Sequence, residues 1–264
     1  MELSLAISPC PNDTFIFDAL VHHRIDTGGL HFNVQFFDIE QLNTLAIGQK
    51  FDVLKVSTGV LPLINNNYHV LDSGAALGNG CGPVLVSKVP YPAEREIVEG
   101  LKIAIPGEHT TAHHILSLAF PGIENKAFLV FSEIENAVLQ GRVDAGLLIH
   151  ENRFTYQGKG LHKICDLGEF WETTYQTPVP LGCIVAQRRL SEELKQKIEM
   201  LIRESVLYAF NNPDASEEFV RIHAQEMQPE VMKQHISLYV NEFSVSLGEQ
   251  GRAAISVLAR TTIA

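Results

Sequence analysis

The chain has 264 residues, 45% hydrophobic and 19% charged, a globular composition that excludes a disordered or fibrous protein. Its length predicts about two domains of ordinary size. Lys and Arg number 20 against 31 Asp and Glu, a net charge of −11, which argues against a nucleic-acid-binding body, whose affinity comes from neutralising phosphates, but leaves room for a small anionic ligand in a pocket of different local sign.

Leu3–Ile7 is an apolar run cut off by Ser8-Pro9-Cys10-Pro11-Asn12-Asp13, the pattern of a strand ending in a turn. Thr14–His23 has helical spacing, with Phe15, Phe17, Leu20 and Val21 on the packing face and Asn12 or Asp13 as cap. Phe32–Phe37 predicts a second strand, and Ile39–Gly48 a short helix closed by its glycine. Phe51–Val56 and Tyr68–Leu71 predict further strands, with Lys55-Val56-Ser57-Thr58-Gly59 between them. Gly74–Gly82 carries four glycines in nine residues, which rules out an ordinary helix and predicts a turn or ligand-lining loop. Val84–Ser87 follows as a strand.

The pattern restarts at Leu101–Pro106, a strand leading into Gly107–His114. A helix beginning near Thr110 or Thr111 would aim unpaired backbone N–H groups at that loop. Ala127–Phe131 predicts a strand, Glu133–Gln140 a helix closed by Gly141, and Val143–Ile149 an apolar strand ending in the polar cluster at His150. This segment echoes Phe32–Val56 in order: strand, helix, glycine, strand. Alternation in both halves predicts an α/β fold. The C-terminal part reads as helices: one opened by Ser191 with Glu192 and Glu193, then Asp214–His223, Pro229–Tyr239 and Leu247–Arg260. The polar stretch Pro90–Glu99 and the prolines Pro178 and Pro180 mark two crossings. We therefore expect a discontinuous lobe of 1–88 and 184–264, an inserted lobe of 89–183, and a ligand cleft between them.

His150 is the leading candidate for chemistry, because a histidine at a strand end has a fixed backbone and an accessible imidazole, as a general base requires. The competing reading is a histidine hydrogen-bonded at a helix start. Glu151 is placed to orient or tune it. His109 and His113 share a helical face at i,i+4, but no HExxH motif or third ligand accompanies them, so no metal is expected. Ser57, Thr58, Thr110 and Thr111 form two hydroxyl-rich turns, suited either to binding a carboxylate or carbonyl or to ordinary turn and cap duty. The glycine stretch is neither a phosphate loop nor a dinucleotide fingerprint, and no nucleophile elbow is present. Cys10 lacks an identifiable base in the sequence, and Trp171 reads as packing or cleft lining. The four cysteines contain no CxxC pair and predict free thiols in a reducing compartment. No basic leader with an apolar core opens the sequence, and no run reaches the roughly 20 apolar residues of a membrane span; a cytoplasmic protein without nucleic-acid or membrane partners is expected.

Taken together, SPCPNDTF, KVST, SGAALGNGCGP and GLLIHENRFTY resemble the MqnD family, the 1,4-dihydroxy-6-naphthoate synthases of the futalosine route to menaquinone, over nearly the whole chain. The resemblance implies a two-lobed, periplasmic-binding-protein-like type II fold with three-layer α/β/α lobes. It implies a carbon–carbon lyase that cleaves cyclic dehypoxanthinylfutalosine, a small carboxylated substrate, to 1,4-dihydroxy-6-naphthoate. In the IHE motif the family's proton-abstracting histidine falls on His150, and the substrate-contact motifs fall on Lys55, Val56, Ser57, Thr110 and Thr111. Asn12, Asp13, Asn79 and Arg153 are further cleft candidates; Lys55 and Arg153 are the cations available to a carboxylate. No cofactor is called for by this chemistry. The alternatives are a non-catalytic small-molecule binding protein or sensor and a dehydratase of a chorismate-like acid.

Overall fold

The computed structural model describes residues 1–224 and 228–261. Among these residues eleven strands form two sheets. The first contains β1 (Glu2–Ile7), β2 (His31–Phe36), β3 (Val53–Ser57), β4 (Tyr68–Val70), β5 (Ala76–Gly78) and β11 (Val179–Gln187). Its order is β2-β1-β3-β11-β4, with β5 also paired to β11. The second contains β6 (Val84–Ser87), β7 (Ile103–Ile105), β8 (Lys126–Phe128), β9 (Ala145–Leu148) and β10 (His162–Asp166), in the order β10-β6-β9-β7-β8.

The internal echo is real. In the first sheet β1 lies between parallel partners β2 and β3, and in the second β7 lies between parallel partners β8 and β9. In each case a nine-residue helix, Ile39–Ile47 or Phe131–Leu139, links the flanking strands. Strand alternation then builds a core on each face of each sheet. Leu3, Leu5 and Ile7 pack with the Glu192–Asn211 helix on one side, while Ala6, Leu54 and Val56 pack with the Ile39–Ile47 helix on the other. In the second sheet Leu85, Ile103 and Leu147 share one core, and Val84, Val86 and Ala104 share the other. Edge strand β2 shows the half-wet version, exposed at His31, Asn33 and Gln35 and part-buried between.

Sheet membership moves the expected crossings. Val84–Ser87 belongs to the second sheet, and all of Val179–Gln187 to the first, so the chain crosses before residue 88 and before residue 184. The prolines misplace the second crossing: Pro180 sits inside β11, at a register shift opposite β5, where a missing N–H is tolerated. The first helix starts at Pro11 rather than Thr14, with Cys10 as N-cap. Asn12 and Asp13 therefore lie in its first turn and do not cap it. Proline's fixed φ suits the first helical position. Gly48 does end its helix, but the left-handed residue is Gln49, at φ 55°. The glycine stretch is part loop and part strand, since Ala76–Gly78 pairs with β11. The short, polar β10 carries too little periodicity to be anticipated; the Leu167–Tyr175 helix, capped by Asp166 and burying Leu167 and Trp171 with Phe170 and Tyr175 beside them, was not anticipated although its pattern is present.

Candidate active site

The ends of β1, β3 and β9, the start of the Thr111–Ala119 helix and the middle of β11 surround a pocket of about 630 Å³, mouth included. His150, Lys55, Ser57, Thr110, Thr111, Asn12 and Asp13 all line it. Val56, Asn79 and Arg153 do not. Alternation along β3 turns Val56 into the core opposite Lys55 and Ser57. Asn79 is exposed on a turn. Arg153 lies one layer back, donating to the Gly82 carbonyl and pairing with Asp166 at 3.3 Å.

The first helical turn builds the floor. Asp13 is buried and accepts from Ser8 Oγ at 2.7 Å, from Asn12 Nδ2 at 2.8 Å and from the Lys55 ammonium at 3.0 Å. Lys55 also donates to the Gly74 carbonyl at 3.2 Å. Both expected cations are thus already paired with carboxylates. The groups left to meet a ligand anion in this pocket are neutral donors. Ser57 Oγ accepts from Asn43 Nδ2 at 3.0 Å, which leaves its O–H to donate. Thr110 caps its helix by accepting from His113 N at 3.2 Å. The N–H groups of Thr111 and Ala112 have no intrahelical acceptor and carry the positive end of the helix dipole. Thr111 Oγ1 donates to the Leu181 carbonyl at 2.7 Å and accepts from Gly59 N at 3.0 Å, tying the two hydroxyl turns together.

His150 lies two residues beyond β9, with φ at 55°. Left-handed backbone is uncommon for a residue with a Cβ and marks strain held in place by its surroundings. Its Nδ1 is 3.5 Å from Cys10 Sγ, while Nε2 is enclosed and has no hydrogen-bond partner among the described residues. Burial pushes the imidazole down to about 4, with Asp13 opposing the shift and Lys55 adding to it. The ring is therefore neutral at pH 7. Burial and the nearby Glu151 push the Cys10 thiol well above its ordinary value, so sulfur stays protonated. In the tautomer whose Nδ1–H points at sulfur, the Nε2 lone pair is left for a substrate proton.

His235 completes the cluster, and the sequence reading missed it. It is wholly buried on the Pro229–Tyr239 helix, with its ring parallel to His150 at 6.1 Å. Its Nε2 is 2.9 Å from Asn12 Oδ1 and its Nδ1 is 3.6 Å from Glu151 Oε2. The Asn12–Asp13 bond fixes the amide so that Oδ1 faces His235. Nε2 must then be the protonated nitrogen. Burial and neighbouring His150 hold this imidazole neutral too. The signal was a histidine at an interior position of an otherwise apolar helical face, beside Val231, Met232 and Tyr239. By contrast, His109, His113 and His114 form no group of metal-binding spacing among the described residues. His113 bonds the Glu108 carbonyl at 2.8 Å and faces Lys126 Nζ at 3.1 Å.

A protein family described as menaquinone biosynthesis matches residues 3–263. A curated 1,4-dihydroxy-6-naphthoate synthase from Streptomyces coelicolor is 46% identical over 258 residues, spanning 96% of this chain and 90% of its own. Another from Thermus thermophilus is 42% identical over 256 residues, spanning 97% and 92%. The crystal structure of an Archaeoglobus fulgidus protein superposes with a TM-score of 0.92 at 34% identity, covering 98% of this chain and 96% of that one. The alkanesulfonate-binding protein SsuA of Xanthomonas axonopodis superposes at 0.70 with 12% identity, covering 100% and 94%. That likeness concerns the fold alone: an α/β architecture of the periplasmic-binding-protein-like type II kind.

Proposed function

The chain belongs to the menaquinone-biosynthesis family, and on that premise we propose that it is a lyase converting cyclic dehypoxanthinylfutalosine to 1,4-dihydroxy-6-naphthoate, the product named in both curated relatives. The observation that carries the mechanism is His150: a neutral imidazole on the pocket wall whose Nε2 has no hydrogen-bond partner among the described residues. It removes a proton from a carbon beside an activating carbonyl, contributing on the order of 10²–10⁴ to the rate. The enolate oxygen is met by preorganised donors, namely Ser57 O–H and the N–H groups of Thr111 and Ala112. Elimination then yields the aromatic naphthoate and the sugar-derived fragment, with aromatic resonance favouring the forward direction. Cys10 orients the imidazole by accepting its Nδ1–H, and the Asp13–Lys55 pair fixes the floor on which Cys10 sits.

The test is incubation of metal-free protein with the cyclic substrate, followed by product identification. The 1,4-dihydroxy-6-naphthoate is expected from the wild type. His150→Ala should lose at least about 100-fold in turnover while still binding substrate by calorimetry. Binding without product in the wild type would place the chain among non-catalytic binding proteins. Near-normal turnover in His150→Ala would remove the base assignment.

A further inference from the structure

We propose that Cys10, His150 and Glu151 form a binding site for a thiophilic divalent cation, zinc above all, and that its occupation switches the pocket off. A sulfur, a ring nitrogen and a carboxylate oxygen from these three residues lie within 4.8 Å of one another. The Sγ···Nδ1 separation is 3.5 Å. A tetrahedral zinc with Zn–S of about 2.3 Å and Zn–N of about 2.05 Å places its sulfur and nitrogen about 3.6 Å apart. The pair is therefore spaced for the metal, and only the Glu151 carboxylate has to close in, by at most roughly 1.5 Å.

Charge and donor type both select the ion. One thiolate, one carboxylate and a neutral imidazole sum to the opposite of a divalent cation, so the occupied site is neutral, as a buried site has to be. A mixed sulfur and nitrogen set suits zinc rather than magnesium or calcium, which take oxygen. A second observation points the same way. His235 Nδ1 is fully buried, has no hydrogen-bond partner among the described residues and faces Glu151 Oε2 at 3.6 Å. Its Nε2–H is already committed to Asn12 Oδ1, which leaves the lone pair on the nitrogen that faces the Glu151 carboxylate; His235 itself stands outside the three-residue group. His235 thus presents a lone pair toward the cluster from behind.

Binding releases the Cys10 thiol proton to solvent as the Zn–S bond forms, and no electron is transferred. Metal at Nδ1 of His150 moves the ring's remaining proton to Nε2. That nitrogen becomes a donor and can no longer accept a substrate proton. This inhibitory half rests on the reading of His150 as the base; the binding half does not.

Chelator-treated protein titrated with cobalt chloride should take up one ion per chain with a thiolate-to-cobalt charge-transfer band, and Cys10→Ser should abolish that band. Zinc chloride calorimetry should show proton release, with affinity reduced at least about tenfold in Cys10→Ser and Glu151→Gln and unchanged in the surface variant His113→Gln. Circular dichroism confirms that each variant is folded; Cys10→Ala replaces Cys10→Ser if it is not. A charge-transfer band that persists without Cys10, or no stoichiometric binding by the wild type, overturns the site. Zinc should also slow turnover in step with occupancy, reversibly with chelator. Occupancy that leaves turnover unchanged overturns the inhibitory half. A metal-free protein that never forms product refutes the proposed activity instead and leaves the metal titrations to be judged alone.

Discussion

Lys55→Met tests whether the pocket floor depends on a buried ion pair. Lys55 and Asp13 are 4% and 1% exposed, and their charged atoms are 3.0 Å apart. Methionine keeps most of the side-chain volume but removes the ammonium. Asp13 then keeps its bonds from Ser8 and Asn12 without a counter-charge in the interior. Breaking such a pair from one side costs about 3–5 kcal/mol. The per-residue unfolding entropy scaled to this chain gives about 0.55 kcal/mol/K, so the midpoint should fall by about 5–9 °C in a calorimetric melt. Adding Asp13→Asn removes the stranded charge and should recover about 2 kcal/mol or more, a coupling that a double-mutant cycle reads directly. A loss below about 1 kcal/mol in Lys55→Met, or no recovery in the double variant, would refute the idea that charge neutralisation holds the floor together.

Three other outcomes are expected. Gly59→Ala brings a Cβ within 3.1 Å of Thr111 N and 3.2 Å of the Thr110 carbonyl, so KM should rise several-fold with little change in melting temperature; an unchanged KM counts against this contact as a determinant of the pocket. His235→Phe leaves Asn12 Oδ1 without its buried donor and should cost about 1–3 kcal/mol, whereas His235→Gln, which can still donate, should cost less; denaturant titration compares them. Burial pushes Cys81, Cys165 and Cys183 up to about 12, so the reactive thiolate is a minute fraction at pH 8, and a disulfide reagent should label the native protein slowly but titrate all 4 cysteines after denaturation. Rapid native labelling at Cys81 or Cys183 would contradict their burial; Cys165 is only half-buried.

The parts of the site legible in the sequence are those written within a few residues of one another. An apolar run followed by a polar cluster located His150, and paired hydroxyls at strand-to-helix turns located Ser57, Thr110 and Thr111. Alternation along the same strand also excludes Val56 from any face that presents Lys55 and Ser57, so that correction was available from period-2 geometry alone. His235 was beyond reach for a different reason. Its helical face is visible as a pattern, but nothing local says that this face packs under Asn12, 223 positions earlier. The roles of Lys55 and Arg153 were hidden in the same way, because a cation's availability depends on which carboxylates the fold delivers to it. Short polar elements such as β10 became strands only because β6 offered them an edge.

The contact between Cys10 and His150 joins the two sheets: sulfur follows β1 in the first, imidazole follows β9 in the second. Any widening of the cleft pulls that 3.5 Å pair apart and frees the ring to exchange its tautomers in water. With the two sheets held as they are, the contact keeps the imidazole in one orientation. The geometry of the imidazole is in this way a property of both halves of the chain and of neither alone.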